Sequence, residues 1–196
     1  MRAAPATLAV VGAVVALSLL AFGGLFREHS SVPKNPTVTE NGVVVFVGSE
    51  SGFAGETLAI LKSRFSGPTV EVTELANLSA AATRVNGSSV VVFNSDWLTG
   101  KVGAVALTDF FKTILPSQVK IVALGGPTSL LFDALKQARD GIVAEGRNPA
   151  YDNPPLAGYK LKQATGWDGT VYYGDSILVG VEPDANSAAD SISNWA

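Results

Sequence analysis

The stretch VVVFVGSESGFAGETLA, Val43 to Ala59, decides the fold. Val43 to Val47 are uninterrupted apolar residues, the pattern of a central strand covered on both faces. Gly48, Gly52 and Gly55 follow, and glycine permits close backbone approach and positive φ. A helix then begins, with Leu58, Leu61 and Phe65 on one face and Gly67-Pro68 ending it. A strand, a Gly/Ser turn and a helix N-terminus together offer unpaired N–H groups and a positive dipole to an anion. Ser49 and Ser51 add hydroxyls to that turn.

Outward from this unit, apolar runs alternate with helical ones. Thr69 to Thr73 reads as an edge or half-buried strand, and Ser89 to Phe93 as a second buried strand. Asn77 to Val85 is expected to be a short helix with Ser79 as its cap. The loop Asn94 to Gly103 precedes a helix capped by Thr108 and ending near Leu115-Pro116. Val119 to Leu124 is the next strand, and Thr128 caps a helix reaching Arg139. Gly141 to Thr170 is less regular, Val171 to Val181 holds strand-like pieces, and Ser187 to Trp195 reads as a terminal helix. This alternation implies βαβ units, a parallel sheet and helices on both faces.

Composition narrows the function. The 196 residues carry a net charge of −3, so no basic footprint points to nucleic acid. No cysteine is present, which excludes disulfides, thiol catalysis and cysteine-held metal. The single His29 lies in a polar segment, which excludes a His-based triad or a multi-His metal site. A hydrolase would need a nucleophile with such a partner.

Thr7 to Phe26 is a charge-free, mostly apolar run of 20 residues, enough for about 30 Å of helix, the thickness of a bilayer core. Arg2 precedes it, so the N-terminus is expected to stay cytoplasmic and the body to be exported on a single-pass anchor. Ala21-Phe22-Gly23 leaves open the alternative of a cleaved signal peptide and a secreted body. The expected organisation is an anchor or signal segment over 1–26, a polar stalk over 27–42 and a folded domain over 43–196. The sequons at Asn77 and Asn86 suit an exported body.

Four stretches, taken in order, resemble the flavodoxin family. Gly48-Ser49-Glu50-Ser51-Gly52-Phe53-Ala54 resembles its phosphate loop, with Phe53 where a third hydroxyl is usual and Gly55 as an extra residue. Ser95-Asp96-Trp97-Leu98-Thr99-Gly100 resembles the loop whose aromatic covers one flavin face, with Asp96 in place of threonine. Val119 to Leu135 resembles the fourth strand, second flavin loop and following helix, with Gly125-Gly126-Pro127 where Gly-Asp and an aromatic are common. Val179 to Asn186, followed by Ile192 and Trp195, resembles the last strand and C-terminal helix of long-chain members.

The resemblance implies a doubly wound five-stranded parallel sheet in the order 2-1-3-4-5, with a crevice at the carboxyl ends of the first and third strands. It further implies an FMN site built from Ser49, Glu50, Ser51, Gly52, Phe53, Ala54, Ser95, Asp96, Trp97, Gly125 and Gly126. Two functions follow as expectations. One is an exported, membrane-tethered electron carrier in which the flavin carries the electron, with a redox protein as partner. The alternative is a cofactor-free binding or assembly module of an extracellular or membrane complex.

Overall fold

A computed structural model describes residues 42–101, 103–139, 153–180 and 184–195. The body is α/β, with a mixed six-stranded sheet and six α-helices among the described residues. In chain order these are β1 (Val44–Val47), α1 (Gly52–Arg64), β2 (Thr69–Val72), α2 (Leu78–Ala82) and β3 (Val90–Asn94). There follow α3 (Ser95–Leu98), α4 (Ala104–Ile114), β4 (Lys120–Leu124), α5 (Ser129–Ala138), β5 (Leu156–Thr165), β6 (Val171–Gly180) and α6 (Ala185–Asn194).

The sheet order is β2-β1-β3-β4-β5-β6. Strands β2, β1, β3 and β4 are parallel, as the alternation implies. All residues of β1, β3 and β4 are buried, because helices cover both sides. Val45, Val47, Val91, Phe93, Ile121 and Ala123 face one core, shared with α2, α4 and α5. There Phe93 meets Phe110 and Phe111 edge-on, with ring centroids 6.2 and 5.7 Å apart. Val44, Phe46, Val90, Val92, Val122 and Leu124 face the other core, under α1 and α6. Lys120, buried in β4, donates to the Ile192 and Ser193 carbonyls at 3.4 and 3.3 Å, a cation at the C-terminus of α6.

The five-stranded parallel expectation is corrected at one edge. β5 lies in the stretch read as irregular and pairs antiparallel with β4, Ile121 opposite Tyr159 and Leu124 opposite Leu156. β6 then pairs antiparallel with β5 along ten residue pairs. The strand-like pieces from Val171 to Gly180 are thus one strand, Val181 lying outside the described residues, and the expected fifth parallel strand is the outer arm of a hairpin. The physical cause is the short connection Gly166 to Thr170, since a tight turn can join only antiparallel strands. Gly169 turns with φ +80°, and Asp168 braces the turn by accepting from the Thr170 N–H at 3.0 Å and Oγ1 at 2.8 Å.

Several helix starts also shift. α1 begins at Gly52 rather than Gly55. Ser79 lies inside α2, which follows a 3₁₀ turn over Leu75–Asn77. Thr108 is inside α4, where its hydroxyl donates to the Ala104 carbonyl at 2.8 Å instead of capping. Thr128 stands at the N-cap position of α5, though its side chain makes no capping bond, and Arg139 follows the last turn as expected. α6 starts at Ala185, with Asp184 as its cap, accepting from the Ser187 N–H at 2.7 Å. That bond holds the Asp184 carboxyl below the usual carboxylate range. No helix among the described residues is long and apolar enough to cross a membrane. The run Thr7 to Phe26 and the stalk lie outside the described residues, except Gly42.

Candidate functional site

The crossover from β1 to β2 passes over the α1 side, whereas those from β2 to β3 and β3 to β4 pass over the opposite side. The connections therefore diverge between β1 and β3, the position at which open α/β sheets take ligands. The turns after β1, β3 and β4 meet at this carboxyl edge.

Asn94 joins the first two turns. This residue, 2% exposed at the end of β3, donates from Nδ2 to the Ser49 carbonyl at 2.9 Å. Its Oδ1 accepts the Trp97 N–H at 3.1 Å and so caps α3. Gly48 makes the approach possible: its φ is +137°, and a Cβ there would stand 2.7 Å from the Asn94 Cβ. The sequence expectation did not include Asn94. Its signal was a polar residue directly after the apolar run of β3, the pattern of an N-cap.

The turn after β1 keeps its polar groups outward. Ser49 and Ser51 are exposed and their hydroxyls lie 3.0 Å apart. Ser51 occupies the N-cap position of α1, but its side chain makes no capping bond. The first intrahelical bond runs from Gly55 N–H to Ser51 O, leaving the Gly52, Phe53 and Ala54 N–H groups ahead of the helical ladder. Gly52 enters the helix with φ +58°. Gly55 closes the turn, since a Cβ there would stand 2.7 Å from the Glu50 carbonyl carbon. The Phe53 and Ala54 side chains pack into the core under α1 and α6, so these residues can offer an incoming group only their backbone. The Glu50 carboxylate is held by Lys62 at 2.5 Å, and Lys62 also holds Glu71 at 3.1 Å. Its bond to Lys62 lowers the Glu50 pKa and raises that of the lysine.

The other side of the edge is formed by Trp97 and Asp96 of the turn after β3 and the glycines after β4. Trp97 is half-buried against the core under α2, α4 and α5. The Lys101 ammonium sits 4.6 Å from its ring centroid, a cation–π contact. The exposed Asp96 carries its carboxylate to the glycines after β4. A Cβ at Gly125 would lie 2.6 Å from Asp96 Oδ2, and one at Gly126 would lie 2.5 Å from Oδ1. Both glycines have positive φ, +72° and +42°. Ser95 is 1% exposed, and its Oγ has no hydrogen-bond partner among the described residues.

No family model, curated protein or solved structure matches this chain. The functional reading therefore comes from its own residues.

A second cluster lies at the opposite end of the sheet. Tyr159, fully buried in β5, donates its hydroxyl to Asp175 Oδ1 at 2.6 Å. Arg139 Nη1 reaches both the Tyr159 hydroxyl at 3.0 Å and Asp175 Oδ1 at 2.8 Å. Burial, then the bond to Asp175, pushes the Tyr159 pKa above the usual tyrosine range. Beside it a cavity of about 290 Å³ is lined by Lys112, Arg139, Gln163 and Tyr173, among others. No motif announced this cluster, because Arg139 follows α5, Tyr159 lies in β5 and Asp175 in β6.

Proposed function

We propose that this chain is a membrane-tethered module of flavodoxin-like architecture that works by binding, as a component of an extracytoplasmic or membrane complex, without FMN. Asp96 carries this reading: its carboxylate fills the space over Gly125 and Gly126, where the family resemblance would bring backbone close to a flavin. Lys101 on the Trp97 ring supports it, since that aromatic face would otherwise stack on the ring. Both contacts favour a cofactor-free site over one that stacks an isoalloxazine on Trp97. Tethering is supported by the charge-free run Thr7 to Phe26 behind Arg2. Secretion after cleavage near Ala21-Phe22-Gly23 is the alternative for the same body.

The electron-carrier reading keeps one observation in its favour. Ser49 and Ser51 stand exposed beside the N–H groups of Gly52, Phe53 and Ala54, the donor set a phosphate would need. The visible spectrum of the full-length protein, purified in mild detergent, separates the two. A colourless preparation is expected, and flavin absorption that co-purifies with the protein would overturn the proposal.

A further inference from the structure

The β5–β6 hairpin outruns the sheet that carries it. β4 pairs with β5 only from Leu156 to Tyr159. Six further pairs, Lys160 opposite Ser176 through Thr165 opposite Val171, continue beyond, an extension of about 20 Å at roughly 3.3 Å per residue. Gln118 supports its base, accepting from the Gln163 N–H at 3.2 Å. Past that point the hairpin has no further strand or helix beside it among the described residues, and its tip is rich in aromatic residues. Trp167 is 100% exposed, and Val171 and Tyr172 are 42% and 57% exposed; Tyr173, at the base opposite Gln163, lies under the Arg139 guanidinium at 5.6 Å. Asp168 is the only charged residue from Gln163 to Gly174, and its carboxylate is turned onto Thr170.

Register fixes the direction of this arm. Val44 lies beside Val90, and Val90 beside Lys120. The row therefore meets β5 at Lys160, one residue past the Ile121–Tyr159 pair. The arm leaves the sheet past the edge where the chain enters β1, opposite to the Asn94 turns. A tip of tryptophan and tyrosine with almost no charge has the composition of the aromatic belts found at bilayer–water boundaries. The chain between Phe26 and Val43 is 16 residues, at most about 55 Å when extended. A tether joined at this same edge is thus long enough to let the arm tip reach the membrane, and short enough to hold it at high effective concentration there.

We propose that the tip of this hairpin, led by Trp167, seats in the interfacial layer of the bilayer to which the chain is tethered. The proposal rests on the tethered reading above. It directs the Asn94 edge away from the membrane, toward partners in the aqueous phase.

The test uses the full-length chain reconstituted into phosphatidylcholine vesicles, with and without brominated acyl chains, and reads tryptophan emission. Wild type is expected to float with the vesicles and lose part of its emission to the brominated lipid. Trp167→Phe should float equally well and lose much less, because Trp97 and Trp195 are half-buried in the body. A Tyr172→Ser variant should weaken the quenching of Trp167 while leaving flotation intact. Flotation with equal quenching in wild type and Trp167→Phe would overturn the proposal and leave the tether standing. So would a Trp167 that stays fully open to acrylamide in vesicles, which would make the arm a protein-docking element. Failure to float would remove the tethered reading and this inference with it.

Discussion

Asn94 holds the Ser49 carbonyl across 45 residues of chain, Nδ2 to O at 2.9 Å, while accepting the Trp97 N–H at 3.1 Å. One buried amide therefore fixes the turn after β1 against the turn after β3. Asn94→Ala removes both bonds and should destabilise the body by about 1–3 kcal/mol, the usual cost of leaving buried partners unmet. Asn94→Asp keeps the acceptor for Trp97 but has no donor for Ser49, so it should cost nearly as much. Urea denaturation followed by circular dichroism measures both. A loss below about 0.5 kcal/mol for each would show that the two turns hold without the latch.

Ser95 gives the opposite expectation. Its buried Oγ has no partner among the described residues, so the fold bears the cost of a desolvated hydroxyl. Ser95→Ala should leave stability unchanged or raise it by up to about 1 kcal/mol. A clear destabilisation in the same assay would mean that the hydroxyl is satisfied and works in the fold.

Tyr159 predicts an alkaline limit. The fold keeps this phenol neutral, with its pKa raised by burial and then by Asp175, whereas an unfolded tyrosine ionises near about pH 10. Below that pH the group's stabilisation is fully present. Above it the unfolded chain loses a proton that the folded chain keeps, so stability falls with rising pH until the folded phenol itself ionises. Tyr159→Phe should be less stable at neutral pH, by about 1–3 kcal/mol, yet should lose less stability between pH 9 and 11. Parallel stability–pH curves for the two proteins would contradict this.

The parts of the fold that were legible in the sequence are those whose cause is local. β1, β3 and β4 are apolar throughout because helices cover both faces, so Val43–Val47 and Ser89–Phe93 announced themselves. β5 did not, because its partners are distant. Gly158 stands where a Cβ would meet the Trp195 ring at 2.8 Å, so a glycine marks a close approach that the sequence does not announce. Pro154-Pro155, just before the strand, reads as a break. The candidate site divides the same way. The positions of the Ser49, Asp96 and Gly125 turns follow from strand order. What fills them does not: Lys62 on Glu50, Lys101 on Trp97 and Asp96 over Gly126 are packing outcomes that no spacing rule supplies.

Whether Asp96 and Lys101 close the space beside Trp97 decides between a cofactor-free module and an electron carrier. The direct measurement is titration of full-length protein, in mild detergent, into FMN while flavin fluorescence is read. Fluorescence is expected to stay unchanged at high protein concentration. A saturable quench that weakens in Trp97→Ala, where ring stacking worth about 1–3 kcal/mol would be lost, and in Ser51→Asp, where a carboxylate would face the phosphate, would contradict the account and establish the FMN site.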